Sequence, residues 1–298
     1  MKKQGVTSIG EVIVDFIATD PFNTTYQQLL GGATVNVAVG IRRYNIPSYY
    51  LCCLGKDETS TFVREKLMSE DVNLSFCSLH PKKKICSVFV HLNPVGDRYF
   101  HSYINETPDE WITYEELRKD PFMSSKIFYF GSGTLFHPTA RKTTELALHY
   151  ALEEKMWVAF DTNIRLKRWE SEGVCRETIL SYIKKADIVK MAEDELLFLT
   201  ETKTLEKGLE LIAKMDIPYL FITKGKDGAC AVHKNIIVQV PGIPVNTLDT
   251  TGAGDAFMAA LLSCFHEKGI PKNEAGLTDY TNFANKAAAI STTKFGSL

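Results

Sequence analysis

The chain has 298 residues, enough for one large α/β domain or for two ordinary ones. Hydrophobic residues make up 45% of it and charged residues 23%, and the formal net charge is −2, so neither nucleic acid nor a membrane surface is predicted as the main partner. No apolar stretch approaches the ~20 residues of a membrane helix, and Glu11 and Asp15 interrupt the N-terminus before a signal-peptide core can form, which predicts a cytoplasmic protein.

The cysteines and histidines show no pattern typical of a metal site. The seven cysteines contain no C-x-x-C pair, and several lie in apolar strand or helix contexts, so reduced core thiols are predicted. The seven histidines include no H-E-x-x-H motif, and we expect no zinc site. Lys82-Lys83-Lys84 is the only basic run and is predicted to be a solvated loop.

β-Branched residues predict a first strand from Val6 to Ile17. Asp15 interrupts its apolar pattern, and a carboxylate inside a strand either lies at a sheet edge or faces a polar ligand. Further on, Gly31-Gly32 precedes a helix that carries Asn36 in its first turn. Paired glycines would let a ligand touch the backbone, and the alternative is a tight turn with an N-cap at Thr34.

Between residues 85 and 103, alternating apolar residues around a central turn predict a β-hairpin. An isolated hairpin is only marginally stable. We therefore expect it to pair with strand material near residues 12–30, in a small sheet set apart from the main body.

From Ile127 onward strand–helix units repeat, which favours a mostly parallel sheet flanked by helices. Gly131-x-Gly133 follows the first of these strands and superficially suggests a dinucleotide site. The rest of that fingerprint is missing, so NAD binding is rejected. The strand Trp157–Phe160 ends in polar residues up to Arg165, at the end of a strand where open α/β sheets hold ligands. The alternative for Arg165 is an ordinary salt bridge.

Two later strands also lead into polar turns. Glu193-Asp194-Glu195 opens a helix, where acids offset the helix dipole. The strand Tyr219–Thr223 enters a turn with Gly225 and Gly228, which is not a Walker A loop because no G-K-[ST] opens a helix. A plain hairpin turn would need those glycines for their backbone angles alone.

The stretch Asp249–Phe257 joins a small-residue loop to an apolar helix that is predicted to be buried. The backbone N–H groups of Gly252-Ala253-Gly254 could approach an anion closely, and the helix start adds about half a positive charge, so a phosphate or oxyanion cradle is predicted. Asp255 lies at its mouth, where a carboxylate can accept a proton from an attacking hydroxyl. The alternative is that Asp249 or Thr251 merely caps the helix.

Two motifs carry a resemblance to a known family. Asp249-Thr250-Thr251-Gly252-Ala253-Gly254-Asp255 resembles D-T-x-G-A-G-D, the second signature of the PfkB (ribokinase-like) carbohydrate kinases, and the run 31–38 resembles their N-terminal signature G-G-x-x-x-N-x-A. The resemblance covers essentially the whole chain. It implies one ribokinase-like domain over residues 1–298, with a three-layer α/β/α fold, a central mostly parallel sheet and a small β-sheet lid inserted at about residues 12–30 and 86–104.

The activity that the resemblance implies is transfer of the ATP γ-phosphoryl group to a sugar hydroxyl. Asp255 would accept the hydroxyl proton, the amides of Gly252, Ala253 and Gly254 would stabilise the developing charge, and Mg²⁺ would bridge the phosphates. Phe100 would stack on a sugar face, with core packing as the alternative. The residues implied to hold the sugar are Asp15, Gly31, Gly32, Asn36 and Arg165.

The resemblance also implies nucleotide and ion contacts. Glu195 would organise waters around Mg²⁺, although Ala192 stands where the family commonly has Asn. Asp249 and Thr251, with the segment 294–298, would hold a monovalent cation such as K⁺. The lid often supplies the dimer contact in this family, which implies a homodimer. The residues implied to contact ATP are Thr223, Gly225, Gly228 and Asn285.

The acceptor is narrowed by the run from Asp161 to Trp169, which resembles the D-x-N-x-R…W segment of fructokinases and 2-keto-3-deoxygluconate kinases. Fructokinase is the first expectation and 2-keto-3-deoxygluconate kinase the alternative, since a keto-acid needs an additional cation for its carboxylate. A non-catalytic sugar- or nucleotide-binding regulator on the same scaffold is the rival from another class. Asp255 beside an anion cradle favours the enzyme.

Overall fold

The computed structural model describes residues 3–104 and 112–296, in which strands and helices alternate along the chain. The strands are β1 (Val6–Ile9), β2 (Ile13–Ala18), β3 (Tyr26–Gly31), β4 (Ser48–Leu51), β5 (Cys53–Leu54), β6 (Ser78–Leu79), β7 (Cys86–Leu92), β8 (Arg98–Ile104), β9 (Ile127–Gly131), β10 (Trp157–Asp161), β11 (Ile188–Ala192), β12 (Tyr219–Thr223), β13 (Ala229–His233) and β14 (Ile236–Val240). The α-helices are α1 (Ala33–Arg43), α2 (Glu58–Ser69), α3 (Asp120–Ser124), α4 (Pro138–Glu153), α5 (Glu172–Ile183), α6 (Glu193–Thr200), α7 (Leu205–Ile212), α8 (Ala253–Lys268) and α9 (Glu274–Ser291).

The large sheet has eight strands in the order β14-β13-β12-β11-β10-β9-β1-β4. The strands from β12 to β4 run parallel to one another. β13 runs antiparallel to both of its neighbours, β12 and β14. The prediction of a mostly parallel central sheet is therefore confirmed.

Both faces of this sheet are covered by helices. Side chains alternate along a strand, so Phe128 and Phe130 pack into the cluster that holds α4 and α5, while Ile127 and Tyr129 pack into the cluster that holds α8 and α9. α8 is buried from Phe257 to His266, as the apolar sequence predicts. This three-layer arrangement fixes the first turn of α8 at one end of the sheet.

The first strand ends earlier than predicted. A continuous strand from Val6 to Ile17 is wrong, because the chain leaves the large sheet after Ile9 and re-enters a second sheet at Ile13. The break occurs at Gly10, where a Cβ atom would overlap the side chain of Thr34 at the start of α1. The strand therefore splits where the chain passes closest to that helix.

The second sheet has the order β3-β2-β7-β8. β2 pairs antiparallel with β3 and parallel with β7, and β8 closes the hairpin with β7 around a bulge at Phe89/Val90. The predicted pairing of the 85–103 hairpin with the 12–30 region is thus observed. This small sheet lies beside the N-terminus of α1 because β3 leads directly into that helix.

One expected loop is less exposed than predicted. Lys83 is only 3% exposed, whereas Lys82 and Lys84 are exposed, so the prediction of a solvated loop is confirmed for two of the three lysines and wrong for Lys83. All seven cysteines are free thiols, and Cys77 is the least buried of them. Among the described residues, no helix is both long and apolar enough to cross a membrane.

Candidate active site

A cavity of about 380 Å³ lies between the small sheet and the carboxyl ends of the central strands. Gly10 and Asn163 line it just beyond β1 and β10, and Gly131 lines it as the last residue of β9. From this point the strand order runs from β1 to β4 on one side and from β9 through β10 toward β14 on the other. The chain therefore winds in opposite directions from here, which makes it a topological switch point, the usual ligand position in open α/β sheets. The predicted residues that line this cavity are Asp15, Gly31, Gly32, Asn36, Arg165, Thr251, Gly252 and Asp255.

The two glycine-bearing motifs meet at one hydrogen bond. Asn36, in the first turn of α1, donates from Nδ2 to Oδ2 of Asp255 in the first turn of α8, over 2.7 Å. The two residues are far apart in sequence, and α1 packs directly against α8. The amide therefore fixes the orientation of the carboxylate at the cavity wall.

Burial raises the pKa of Asp255 to about 7, and the charge of Asp161 adds to the shift. The Asn36 hydrogen bond and the charges of Lys190 and Arg165 act in the opposite direction. A carboxyl group with a pKa near neutrality is suited to accept a proton during a reaction.

The predicted anion cradle lies at the start of α8, where one of its expected amides is already engaged. The N–H groups in the first turn of a helix have no acceptor within that helix. The amides of Gly254 and Asp255 can therefore bind a ligand at the start of α8. The amide of Ala253, however, donates to the carbonyl of Thr250 over 3.2 Å, so it is already engaged in the turn. The cradle consists of fewer amides than the motif suggests.

A buried lysine that the sequence pattern did not single out lies behind this turn. Lys190 in β11 is 6% exposed, and its Nζ contacts both carboxylate oxygens of Asp161 at 3.1 and 3.2 Å. A Cβ at Gly254 would come within 2.9 Å of this ammonium. Burial opposes its charge, but the carboxylates of Asp161, Glu195 and Asp255 together raise the pKa of Lys190. The signal in the sequence was a single charge inside an apolar strand.

Asp15 lies on the interior strand β2 of the small sheet, which excludes the edge-strand alternative. Burial raises its pKa to about 6. A Cβ at Gly31 would come within 2.8 Å of its Oδ2, and a Cβ at Gly32 within 2.8 Å of the Glu11 carbonyl. The paired glycines therefore allow the carboxylate and the backbone to stand close together at the cavity.

The small sheet contributes a different aromatic residue from the one expected. Phe100 is 54% exposed and does not line the cavity; its ring lies 4.8 Å from that of Tyr103. Tyr103 does line the cavity, because it pairs across the strands with Val88, which also lines it. Neither the sugar-stacking nor the core-packing prediction for Phe100 matches its position here.

Other lining residues were missed by the sequence patterns. Gly131, Ser132 and Gly133 line the cavity, although their motif was considered only as a dinucleotide site and rejected. Glu11 and Arg168 form an ion pair of 3.0 Å in its wall. Such pairing depends on tertiary contacts and has no local signal.

The residues expected to contact ATP lie outside this cavity, around the β12–β13 turn. Gly225 has open space where a Cβ would stand, so its backbone is accessible. A Cβ at Gly228 would overlap the carbonyl of Val240, so this glycine is needed for packing. Thr223 donates to the Met191 carbonyl over 3.4 Å, and Asn285 is buried and donates to the carbonyls of Val240 and Pro241.

The residues expected near metal ions are engaged by protein groups. Glu195 accepts hydrogen bonds from Thr162 Oγ1 at 2.7 Å, from the Ala192 amide at 2.8 Å and from the Ile164 amide. It thereby ties the loop after β10 to the start of α6. No group of three or more His, Cys, Asp or Glu side chains in residues 3–104 and 112–296 has the geometry to hold a metal ion.

Asp249 connects the loop before α8 to the C-terminal segment. Its Oδ1 accepts from the Thr251 amide at 2.8 Å and its Oδ2 from the Gly296 amide at 3.0 Å. Burial works against its ionisation, but these hydrogen bonds prevail and lower the pKa of Asp249. The structure therefore brings together the segments that were expected to surround a monovalent cation.

Comparison with known proteins identifies relatives over the whole length. The family model for pfkB family carbohydrate kinases matches residues 3–298. Fructokinase-2 of Oryza sativa subsp. japonica is 33% identical, over 98% of this chain and 89% of its own. The structure of fructokinase from Vibrio cholerae O395 with fructose, ADP and calcium bound matches with a TM-score of 0.86, at 29% identity over 99% of this chain and 94% of that chain. Aminoimidazole riboside kinase from Salmonella enterica, complexed with aminoimidazole riboside and an ATP analogue, has the same TM-score at 25% identity, over 98% of this chain and 94% of that chain.

Proposed function

Since the chain belongs to the PfkB family of carbohydrate kinases, we propose that it transfers the γ-phosphoryl group of ATP to a hydroxyl of fructose. The observation that carries this proposal is the hydrogen bond of 2.7 Å from Asn36 to Asp255, which joins both family motifs at one cavity. The fructokinases of rice and Vibrio cholerae, similar over nearly the full chain, support fructose as the acceptor.

In this mechanism Asp255 accepts the proton of the attacking hydroxyl, while Asn36 holds its carboxylate in position. The open amides at the start of α8 stabilise negative charge that develops on the transferred group. Lys190 adds a positive charge directly behind them. Phosphoryl transfer needs mainly positioning and charge stabilisation, and these groups supply both.

The acceptor would bind between the small sheet and α1. Asp15 can accept hydrogen bonds from sugar hydroxyls, and Gly31 and Gly32 leave room for close contact. Arg165, in the turn after β10, would reach the transferred phosphoryl group. We also propose that the small sheet acts as a lid, whose closure over the sugar excludes water and prevents hydrolysis of ATP.

The nucleotide would lie along the β12–β13 turn, where Gly225 leaves its backbone accessible and Thr223 ends the strand. Gly228 and Asn285 would act indirectly, because packing and backbone hydrogen bonds already occupy them. Bound Mg²⁺ would supply positive charge to offset that of the phosphates. Glu195 would support that ion indirectly, by holding the loop after β10.

A monovalent cation such as K⁺ would fit near Asp249 and Thr251. The Asp249 carboxylate accepts hydrogen bonds from backbone amides of the 249–251 loop and of Gly296. Carbonyl oxygens of both segments would then serve as ligands, and hard cations prefer oxygen ligands. Binding there would steady the loop that leads into Asp255.

The lid also supports a homodimer. β8 is an edge strand of the small sheet and exposes Tyr99, Phe100 and Ile104 by 46%, 54% and 49%. An exposed apolar edge strand is a ready site for pairing with another chain. The proposed partner is a second copy of this protein.

The seven free thiols favour the reducing cytoplasm as the location of the protein.

One observation favours a second candidate, 2-keto-3-deoxygluconate. Two guanidinium groups, those of Arg165 and Arg168, line the cavity, and a sugar acid needs a cation for its carboxylate. This candidate belongs to the same reaction class and differs only in the acceptor.

The deciding experiment measures ADP release with ATP and Mg²⁺ over a panel of acceptors: fructose, 2-keto-3-deoxygluconate, ribose, fructose phosphates and aminoimidazole riboside or adenosine. The proposal predicts the highest kcat/KM with fructose. Turnover of the keto-acid with higher kcat/KM would replace fructose by the second candidate. No ADP release with any acceptor would favour a non-catalytic regulator.

A further inference from the structure

The wall of the acceptor cavity contains a buried ion pair that the phosphoryl-transfer mechanism does not use. Nη1 of Arg168 lies 3.0 Å from Oε2 of Glu11, and the two side chains are only 16% and 5% exposed. The guanidinium also lies 4.2 Å from the centre of the Phe136 ring. All three residues line the cavity, so both charges border the space that the acceptor enters.

The pair joins two segments that define the acceptor side of the site. Glu11 follows Gly10, where the chain leaves β1 for the small sheet, and Arg168 lies in the short turn after β10 that also carries Arg165. Partners held from both sides of the cavity keep their positions with little rearrangement. A charge removed from such a pair leaves the other charge largely desolvated.

The charges that line the cavity are unequal in number. Among the described residues, the lining carboxylates are those of Glu11, Asp15 and Asp255, and the lining guanidinium groups are those of Arg165 and Arg168. Arg165 acts on Asp255, whose pKa it lowers, so its charge serves the end where phosphoryl transfer occurs. The carboxylate of Glu11 neutralises the guanidinium of Arg168. An acceptor that carries its own carboxylate therefore finds no unneutralised guanidinium there.

We propose that the Glu11–Arg168 pair determines acceptor specificity, because Glu11 neutralises Arg168 and the cavity therefore accepts an uncharged ketose and rejects a sugar acid. The inference rests on the proposed function. It assigns the choice between the two candidate acceptors, fructose and 2-keto-3-deoxygluconate, to the charge of Glu11. Discrimination then comes from the unfavourable charge at Glu11 as much as from contacts to the accepted sugar.

The test compares Glu11→Gln, Arg168→Gln and the double variant. For each, kcat/KM is measured with fructose and with 2-keto-3-deoxygluconate, together with the inhibition constant of the acid against fructose. Glu11→Gln should raise the acid-to-fructose ratio of kcat/KM by about ten- to a hundredfold, the size of one hydrogen bond to a charged group. The double variant, which lacks both charges, should lose that gain.

Arg168→Gln tests the proposal through the opposite charge, and so it also serves if Glu11→Gln does not fold. This variant leaves the Glu11 carboxylate in the cavity wall, so the inhibition constant of the acid should rise. The kcat/KM for 1-amino-1-deoxyfructose, a cationic analogue, should increase relative to that for fructose by a similar factor. A structural brace would lower all activities together without changing these ratios.

Unchanged ratios in both single variants, or an equal gain in the double variant, would overturn the proposal. Failure of the proposed function has a different signature, since the unmodified protein would then release no ADP with fructose.

Discussion

Asp255 lies among charged neighbours of both signs, and burial is the strongest influence on its pKa. A buried carboxylate loses hydration, which favours its protonated form. The hydrogen bond that Asn36 donates to Oδ2 recovers part of that loss. The residue is therefore poised between its two protonation states near neutral pH, as a proton acceptor in catalysis requires.

A pH profile tests this directly. Because only the deprotonated form of Asp255 accepts a proton and its pKa is raised to about 7, kcat/KM for the sugar should fall by about tenfold per unit as pH decreases below ~7, and level off above it. Asp15→Asn controls for the second raised carboxyl, whose pKa is about 6, and should leave the upper transition in place. A profile that is flat from about pH 5 to about pH 8 would contradict the assignment.

At the scale of residues, glycines and a fixed spacing mark Asp15, Asn36 and Asp255 locally, and the structure places all three at one cavity. Lys190 and Tyr103 were not predicted, since their positions depend on which strands become neighbours. Asn285 was expected to contact ATP, but its amide donates to the carbonyls of Val240 and Pro241 at the end of β14, a contact that no local pattern encodes.

At the scale of elements, Lys190 in β11 connects the end of β10 to the start of α8. Asp161, the last residue of β10, is fully buried, and Lys190 is its ion-pair partner. The same ammonium approaches Gly254, so the ion pair supports the first turn of α8. The interaction therefore links folding stability to the position of that turn.

Lys190→Met should therefore destabilise the protein by ~3–5 kcal/mol, because it leaves the Asp161 carboxylate buried without its partner. Urea denaturation of the single variants, and of Lys190→Met combined with Asp161→Asn, measures the coupling. The double variant should recover part of the loss. A single variant as stable as the unmodified protein would show that the pair contributes nothing.

The turn after β12 offers a matched pair of glycine variants. Gly228→Ala should lower the melting temperature strongly, because the added Cβ would overlap the Val240 carbonyl at a backbone φ of 96°. Gly225→Ala meets open space at a φ of 55° and should cost only ~1–2 kcal/mol, while raising the KM for ATP. If Gly225→Ala left the KM for ATP unchanged, this turn would not contact the nucleotide.

At the scale of the whole molecule, strand–helix alternation after residue 125 predicted the three layers, since parallel strands require crossover helices. The small sheet was also predicted from its hairpin and its need for partners. The break at Gly10 could not be predicted, because the apolar pattern continues through it and only the approach of α1 forces the chain apart.

The exposed edge of the small sheet leads to a prediction about assembly. Phe100→Lys and Ile104→Lys together should block pairing through β8 and shift a dimer to monomer, measured by analytical ultracentrifugation. Leu152→Lys, at a similarly exposed apolar position on α4, is the matched control and should leave the association unchanged. If the β8 variant sedimented like the unmodified protein, the dimer contact would lie elsewhere.

The most direct measurement is turnover and sugar binding by Asp255→Asn. The replacement keeps the shape of the side chain and a partner for Asn36, but it removes the proton acceptor. We predict that kcat with fructose and ATP falls by about a hundred- to ten-thousandfold, while calorimetry shows fructose binding within about threefold of the unmodified protein. Turnover that survives the replacement, with binding intact, would contradict the role of this carboxylate as the catalytic base.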